Sequence, residues 1–197
     1  MEGEFMSQKN RLPEVMIFAG PNGSGKTTVT RMAKTIGVYI NADDIKKSNL
    51  CSDLEAAQKA EELRESMLET TEDFTFETVL STDRNLKLLK KAKEKGYFLR
   101  CIYVLTDDPE INIARVRMRE SMGGHGVPEE KIKSRYQKAL KLIPELIKLC
   151  DIVHIYDNTT SPYRIFKKRK DTYYHWENKY WSYSDIEKLT GITEYEN

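Results

Sequence analysis

Lys26 and Thr27 close the run Gly20-Pro21-Asn22-Gly23-Ser24-Gly25-Lys26-Thr27-Thr28, a G-x-x-x-x-G-K-T pattern set directly after the apolar stretch Val15–Ala19. Residues of these types at this spacing bind phosphate. The glycines permit a tight turn whose backbone N–H groups converge on an anion. A helix beginning near Lys26 points its positive end at the same place. The lysine ammonium reaches β- and γ-phosphates, and the Thr27 hydroxyl takes one position on Mg²⁺. The implied ligands are a nucleoside triphosphate, taken to be ATP, and Mg²⁺, with residues 20–28 as the cradle.

Further chemistry-bearing residues follow other apolar runs. Asn41-Ala42-Asp43-Asp44 comes after Val38–Ile40, and a carboxylate there could take a proton from a substrate hydroxyl. Asp43 is the favoured base; the competing role for either aspartate is to cap the next helix. Thr75-Phe76-Glu77-Thr78 ends a third apolar run, with Glu77 as a candidate for a Mg²⁺-bound water or a substrate hydroxyl and Thr78 beside it. Arg115, Arg117 and Arg119 alternate along a helical stretch, and residues two apart cannot share a helix face. One or two of them are therefore expected at the site, to offset charge on a transferring phosphate. Gly123, Gly124 and Gly126 supply a hinge for a closing lid. His125 inside that hinge and Arg135 beyond it complete the candidate set, each as a substrate contact.

Positioning these groups requires alternating elements. Strand-like runs at Val15–Ala19, Val38–Ile40, Phe74–Leu80, Phe98–Leu105 and Ile152–Tyr156 alternate with helical patterns at Thr28–Thr35, Asp53–Glu69, Arg84–Lys95 and Pro128–Cys150. Asp53–Glu69 is expected to turn Leu54, Ala57, Ala60, Leu63 and Met67 inward, and Pro144 to kink or split the last helix. The pattern predicts an α/β fold with about five parallel strands, helices on both faces, and ligands at the carboxyl ends of the strands.

The chain has 197 residues, 32% of them charged and 39% hydrophobic, with a net charge of +1. That balance argues against a global field drawing the protein to membrane or nucleic acid, while leaving room for a local patch. The apolar runs are too short for a membrane helix, and the polar start is unlike a secretory signal. Cys51, Cys101 and Cys150 read as reduced thiols of a cytoplasmic protein. The expected organisation is a disordered lead-in at 1–12, one domain at 13–160, and an appendage at 161–197.

In that appendage Arg164 to Lys170 is basic, while Tyr173, Tyr174, Trp176, Tyr180 and Trp181 are aromatic. Such mixtures bind single-stranded nucleic acid. The preferred reading is a hairpin turning near Lys170-Asp171 and a helix at Ser184–Leu189, covering a sheet edge and burying its aromatics, with nucleic acid disfavoured as a partner.

Taken together, the phosphate loop, N-A-D-D-I, F-E-T-V-L-S, R-V-R-M-R and G-G-H-G-V-P-E-E-K-I-K-S-R-Y resemble the zeta-toxin-like P-loop kinases over residues 14–158. The resemblance implies an ATP- and Mg²⁺-dependent kinase acting on a hydroxyl of a small molecule. For the characterised toxins that is the 3′-hydroxyl of UDP-N-acetylglucosamine, and an antitoxin is then an expected partner. It assigns Lys26 and Thr27 to phosphate and Mg²⁺, Asp43 to the base and Glu77 to substrate binding. Arg119, or failing that Arg117, becomes the ATP-facing lid arginine. Where those toxins carry a second lid arginine this chain has His125, with Arg135 as substitute. Other classes compatible with the same loop are a nucleotide-dependent regulatory ATPase that binds a partner, and a nucleic-acid end kinase.

Overall fold

A computed structural model describes residues 11–196. Most of the expected lead-in at 1–12 therefore lies outside the described residues. Its last two, Arg11 and Leu12, lead into the first strand, and Arg11 forms an ion pair with Asp73.

In chain order the elements are β1 (Glu14–Ala19), α1 (Lys26–Met32), β2 (Val38–Ile40), α2 (Ala42–Asn49), α3 (Asp53–Thr70), β3 (Phe74–Thr78), α4 (Arg84–Glu94) and β4 (Phe98–Leu105). They continue with α5 (Pro109–Ser121), α6 (Glu129–Lys141), α7 (Ile143–Leu149), β5 (Ile152–Asp157), β6 (Tyr163–Arg169), β7 (Thr172–His175) and α8 (Tyr183–Thr190). The strands form one sheet in the order β2-β3-β1-β4-β5-β6-β7. Neighbours from β2 to β5 run parallel, while β6 and β7 add antiparallel. β1 lies in the parallel part with five of six residues buried, which is why its sequence reads as a continuous apolar run.

Several expected boundaries shift for identifiable reasons. β3 stops at Thr78 rather than Leu80, because Leu80 has φ +54° and its N–H turns back to Thr78 Oγ1 at 3.0 Å. α1 ends at Met32 rather than Thr35, with Ala33 already extended and Met32 80% exposed. Pro144 splits its helix in two, α6 ending at Lys141 and α7 starting at Ile143, since proline cannot donate to the preceding turn.

α3 is capped by a reciprocal Ser52–Glu55 pair; of its expected stripe Ala60 is buried and Met67 packs on the core, but Leu54 and Leu63 are exposed, and Ala56, Arg64 and Leu68 are buried instead. Its apolar residues occupy two stripes, so period alone cannot choose between them. The alanines allow close approach, and the Arg64 guanidinium lies 5.2 Å over the Phe76 ring.

The tail forms the expected hairpin and helix. Lys170, with φ +56°, makes the turn. The hairpin extends the sheet by pairing β6 with β5, and α8 packs Ile186 into the main core with Trp181.

Candidate active site

The phosphate loop runs from the carboxyl end of β1 to the first turn of α1, and its glycines are demanded by neighbours as well as by backbone angles. Gly20 has φ +142°, and a Cβ there would fall 2.0 Å from the Val104 carbonyl oxygen. Gly25 has φ +92°, and a Cβ would meet the Asn158 side-chain nitrogen at 2.2 Å. The loop is pinned from three sides. Gly20 N–H donates to Thr78 O at 3.2 Å. Asn112 on α5 donates to Asn22 O at 2.7 Å, and Asn158 after β5 donates to Ser24 O at 2.8 Å. Arg115 in turn holds the Asn158 and Thr159 carbonyls at 2.8 and 3.0 Å.

Lys26 folds back over this cradle, its Nζ donating to the carbonyls of Gly20 (2.7 Å) and Pro21 (3.0 Å). Burial lowers its pKa to about 8, against the opposing pull of Glu77 and Asp43, with Arg119 adding to the lowering. A cation crowded onto carbonyls and partly desolvated gains when an anion enters. The buried Ser24 hydroxyl has no hydrogen-bond partner among the described residues. Thr27 and Thr28 are exposed at the start of α1. These features fit a polyphosphate on the loop and Mg²⁺ on the Thr27 hydroxyl.

The other side of the site is built from β2, β3 and α2. Glu77 Oε1 accepts from the hydroxyls of Thr30 at 2.8 Å and Tyr39 at 2.7 Å. Asn41 donates to the Tyr39 hydroxyl at 3.2 Å, and burial pushes the Tyr39 pKa up, so it stays a donor to Glu77. The cap of α2 is Asn41, whose side chain accepts the Asp43 N–H at 2.9 Å. The capping role considered for Asp43 and Asp44 is therefore already filled. The Asp43 carboxylate is exposed and makes no hydrogen bond among the described residues. Thr78 does not face a free site: its hydroxyl takes hydrogen bonds from Leu80 N–H and, at 2.7 Å, from Asn85.

The lid consists of the end of α5, the glycine-containing segment 122–128 and the start of α6. The structure separates its arginines. Arg119 donates to the His125 carbonyl at 2.7 Å and contributes to the charge around Lys26. Arg135 reaches Asn22 Oδ1 at 3.3 Å. Arg117 instead pairs with Glu129 on an exposed face, and Arg115 is committed to the loop after β5. His125 Nε2 stands 3.7 Å from Asp53 Oδ2 at the start of α3, so the lid touches the β2–β3 side across the cleft.

The phosphate-loop clamps, Asn112 and Asn158, were not singled out from sequence, nor was Tyr39. Each lies alone in the chain and becomes meaningful only through a partner 38 to 134 residues away.

A largely parallel sheet wound around this loop, with Arg135 of the lid reaching Asn22, defines a P-loop protein of the kinase type. The chain belongs to the zeta toxin family, whose model matches residues 2–171. An uncharacterized protein of Haemophilus influenzae is 30% identical over 129 residues, covering 62% of this chain and 92% of that protein. Among solved structures, one of the PezAT chromosomal toxin-antitoxin system of Streptococcus pneumoniae matches with a TM-score of 0.58 at 20% identity. It covers 82% of this chain and 75% of that one. The AvrRxo1-ORF1:-ORF2 structure with ATP matches with a TM-score of 0.68 at 13% identity, covering 84% of this chain. This chain spans only 61% of that one. At such identities the two structures establish the shared fold.

Proposed function

We propose that the protein is an ATP- and Mg²⁺-dependent phosphotransferase that moves the γ-phosphate to a hydroxyl of a small molecule. The observation that carries this reading is the exposed, uncommitted Asp43 carboxylate just past β2, at the same carboxyl edge of the sheet as the phosphate loop. A hydrolase needs only a positioned water; a free carboxylate opposite a phosphate cradle suits removal of a proton from an alcohol. Lys26 bears on the phosphate oxygens. Arg119 and Arg135 approach the loop from the lid, where they offset charge developing on the transferring group. Mg²⁺ would be held by Thr27, with Glu77 as an indirect ligand through water, and would supply further neutralisation of the phosphates. Glu77, oriented by Thr30 and Tyr39, is alternatively a hydrogen-bond acceptor for the acceptor molecule.

Family membership supports a nucleotide sugar such as UDP-N-acetylglucosamine as the acceptor to test first. The PezAT structure comes from a toxin-antitoxin system, and AvrRxo1-ORF1 is seen in complex with ORF2. They favour a second reading alongside the first, in which an antitoxin-like protein restrains the activity. Among the described residues no helix is long and apolar enough to cross a membrane. A donor such as ATP suits a cytoplasmic enzyme.

The test is incubation with ATP labelled in the γ-phosphate and a pool of nucleotide sugars, nucleosides and aminoglycoside-like alcohols. Label in an organic product, lost in Asp43→Ala, supports the assignment. Label only in free phosphate, at a rate indifferent to Asp43→Ala, points to the regulatory ATPase.

A further inference from the structure

The register of the sheet gathers a second set of side chains on one face of β5–β7. Phe18 pairs with Ile102, Ile102 with His154, His154 with Lys167, and Lys167 with Tyr174, so these side chains form one row on one face. Tyr156 and Arg164 pair in the row above. Trp176, whose N–H donates to Ile165 O, lies beside Arg164. The opposite face of the same strands carries Val153, Ile155 and Phe166, all fully buried under α7 and α8 in the main core. Phe18 at the inner end of the row is fully buried, but His154, Tyr156, Arg164, Lys167 and Tyr174 on β5–β7, and Trp176 just after β7, are only half-buried, and they pack on one another.

Those members alternate flat rings with cations. His154 and Tyr156 stack at 6.4 Å and 21°, and Tyr174 and Trp176 stack at 6.2 Å and 11°. The Arg164 guanidinium lies 4.8 Å over Trp176, and Lys167 Nζ lies 5.0 Å over Tyr174. Burial, then Arg164, Lys167 and Arg100, depress the His154 pKa to about 4, so that ring is neutral near pH 7. The buried Arg164 Nε has no partner among the described residues. Acidic relief is sparse: Glu14 is taken by Arg100, and Glu196 accepts from the Tyr174 hydroxyl at the edge.

We propose that this face of β5–β7 binds single-stranded nucleic acid, its rings stacking on bases and Arg164 and Lys167 contacting phosphates. Reading the tail as an edge cover disfavoured this partner because it buried the aromatics together. Strand alternation instead divides them, sending Tyr173 inward and Tyr174 and Trp176 outward. Parallel rings interleaved with cations match a polyanion that exposes planar bases. A duplex hides its bases, and an acidic peptide has no planes to stack.

The full-length chain is titrated into fluorescein-labelled oligouridylate and oligothymidylate of about 15 nucleotides, between about 50 and 200 mM salt. A duplex of equal length and polyglutamate serve as competitors. Single strands are expected to bind and to resist both competitors. Trp176→Ala should weaken binding about tenfold, while Trp176→Phe retains most of it. Lys167→Ala should flatten the slope of log affinity against log salt by about 0.7. ATP binding measured on the same variants reports their folding. Absence of binding at the lowest salt overturns the proposal. So does equal displacement by duplex or polyglutamate, or an unchanged affinity in Trp176→Ala. Preference for the ribo- or deoxy-oligomer identifies which single strand the face selects.

Discussion

The two halves of the candidate active site are built on opposite terms. On the donor side nearly every group is spoken for. The loop carbonyls of Asn22 and Ser24 are held by Asn112 and Asn158, its first N–H by Thr78, and its lysine by two carbonyls. On the acceptor side α2 has no buried residue, and Asp43 has no fixed partner. His125 spans the cleft through a single contact of 3.7 Å to an exposed aspartate. A triphosphate is a constant ligand and rewards a preformed cradle, because ordering is then not charged against binding. On the proposed reading, the acceptor side would close on the molecule that the lid admits. Within it Glu77 is the exception, held by two hydroxyls. It is the point where the adaptable half is anchored to the rigid one.

The contrast can be broken first at Lys26. Lys26→Ala should reduce transfer by about 10³-fold and weaken nucleotide binding, measured by steady-state kinetics and calorimetry. Asp43→Asn should lower kcat by about 10²-fold while the KM for ATP holds, since the base sits outside the cradle. A rise in the KM for ATP of similar size would show that the two halves are not separable. Next comes pH. Because folding lowers the Lys26 pKa to about 8, its charged form is lost as pH rises through that value. Nucleotide affinity should then fall by up to about tenfold per unit above 8, a dependence absent in Lys26→Met. Asn158→Ala strands the Ser24 carbonyl and loosens the loop. About a tenfold loss of nucleotide affinity is expected, with the acceptor KM unchanged. The smallest effect belongs to His125→Ala: a two- to threefold rise in the acceptor KM, in keeping with an exposed pair.

Most of the donor half is legible in the sequence, because a phosphate loop encodes its own geometry in consecutive residues. Gly20 through Thr28 needs no distant partner to be recognised. The five parallel strands and the split at Pro144 were legible for the same reason, being consequences of local pattern. What was not legible involves choices between equivalent local options. Arg117 and Arg119 are alike in sequence, and only the packing of α5 against α6 sends one to Glu129 and the other to the His125 carbonyl of the lid. On α3 the expected stripe shares only Ala60 with the buried one, which continues through Ala56, Arg64 and Leu68 and leaves Leu54 and Leu63 exposed. Thr78 looked like a substrate contact but closes the turn after β3.

By itself, then, the sequence determined the ligand class, the strand–helix alternation and the family, all of which rest on contiguous residues and their periodicity. Tertiary structure alone decided which asparagines hold the loop, which lid arginines face it, and that Asp43 is left uncapped. It also decided that the rings of the tail divide between core and surface. These outcomes depend on strand register and on helix rotation about its axis. Both are set by packing between segments far apart in the chain, so no local reading of the residues could have fixed them.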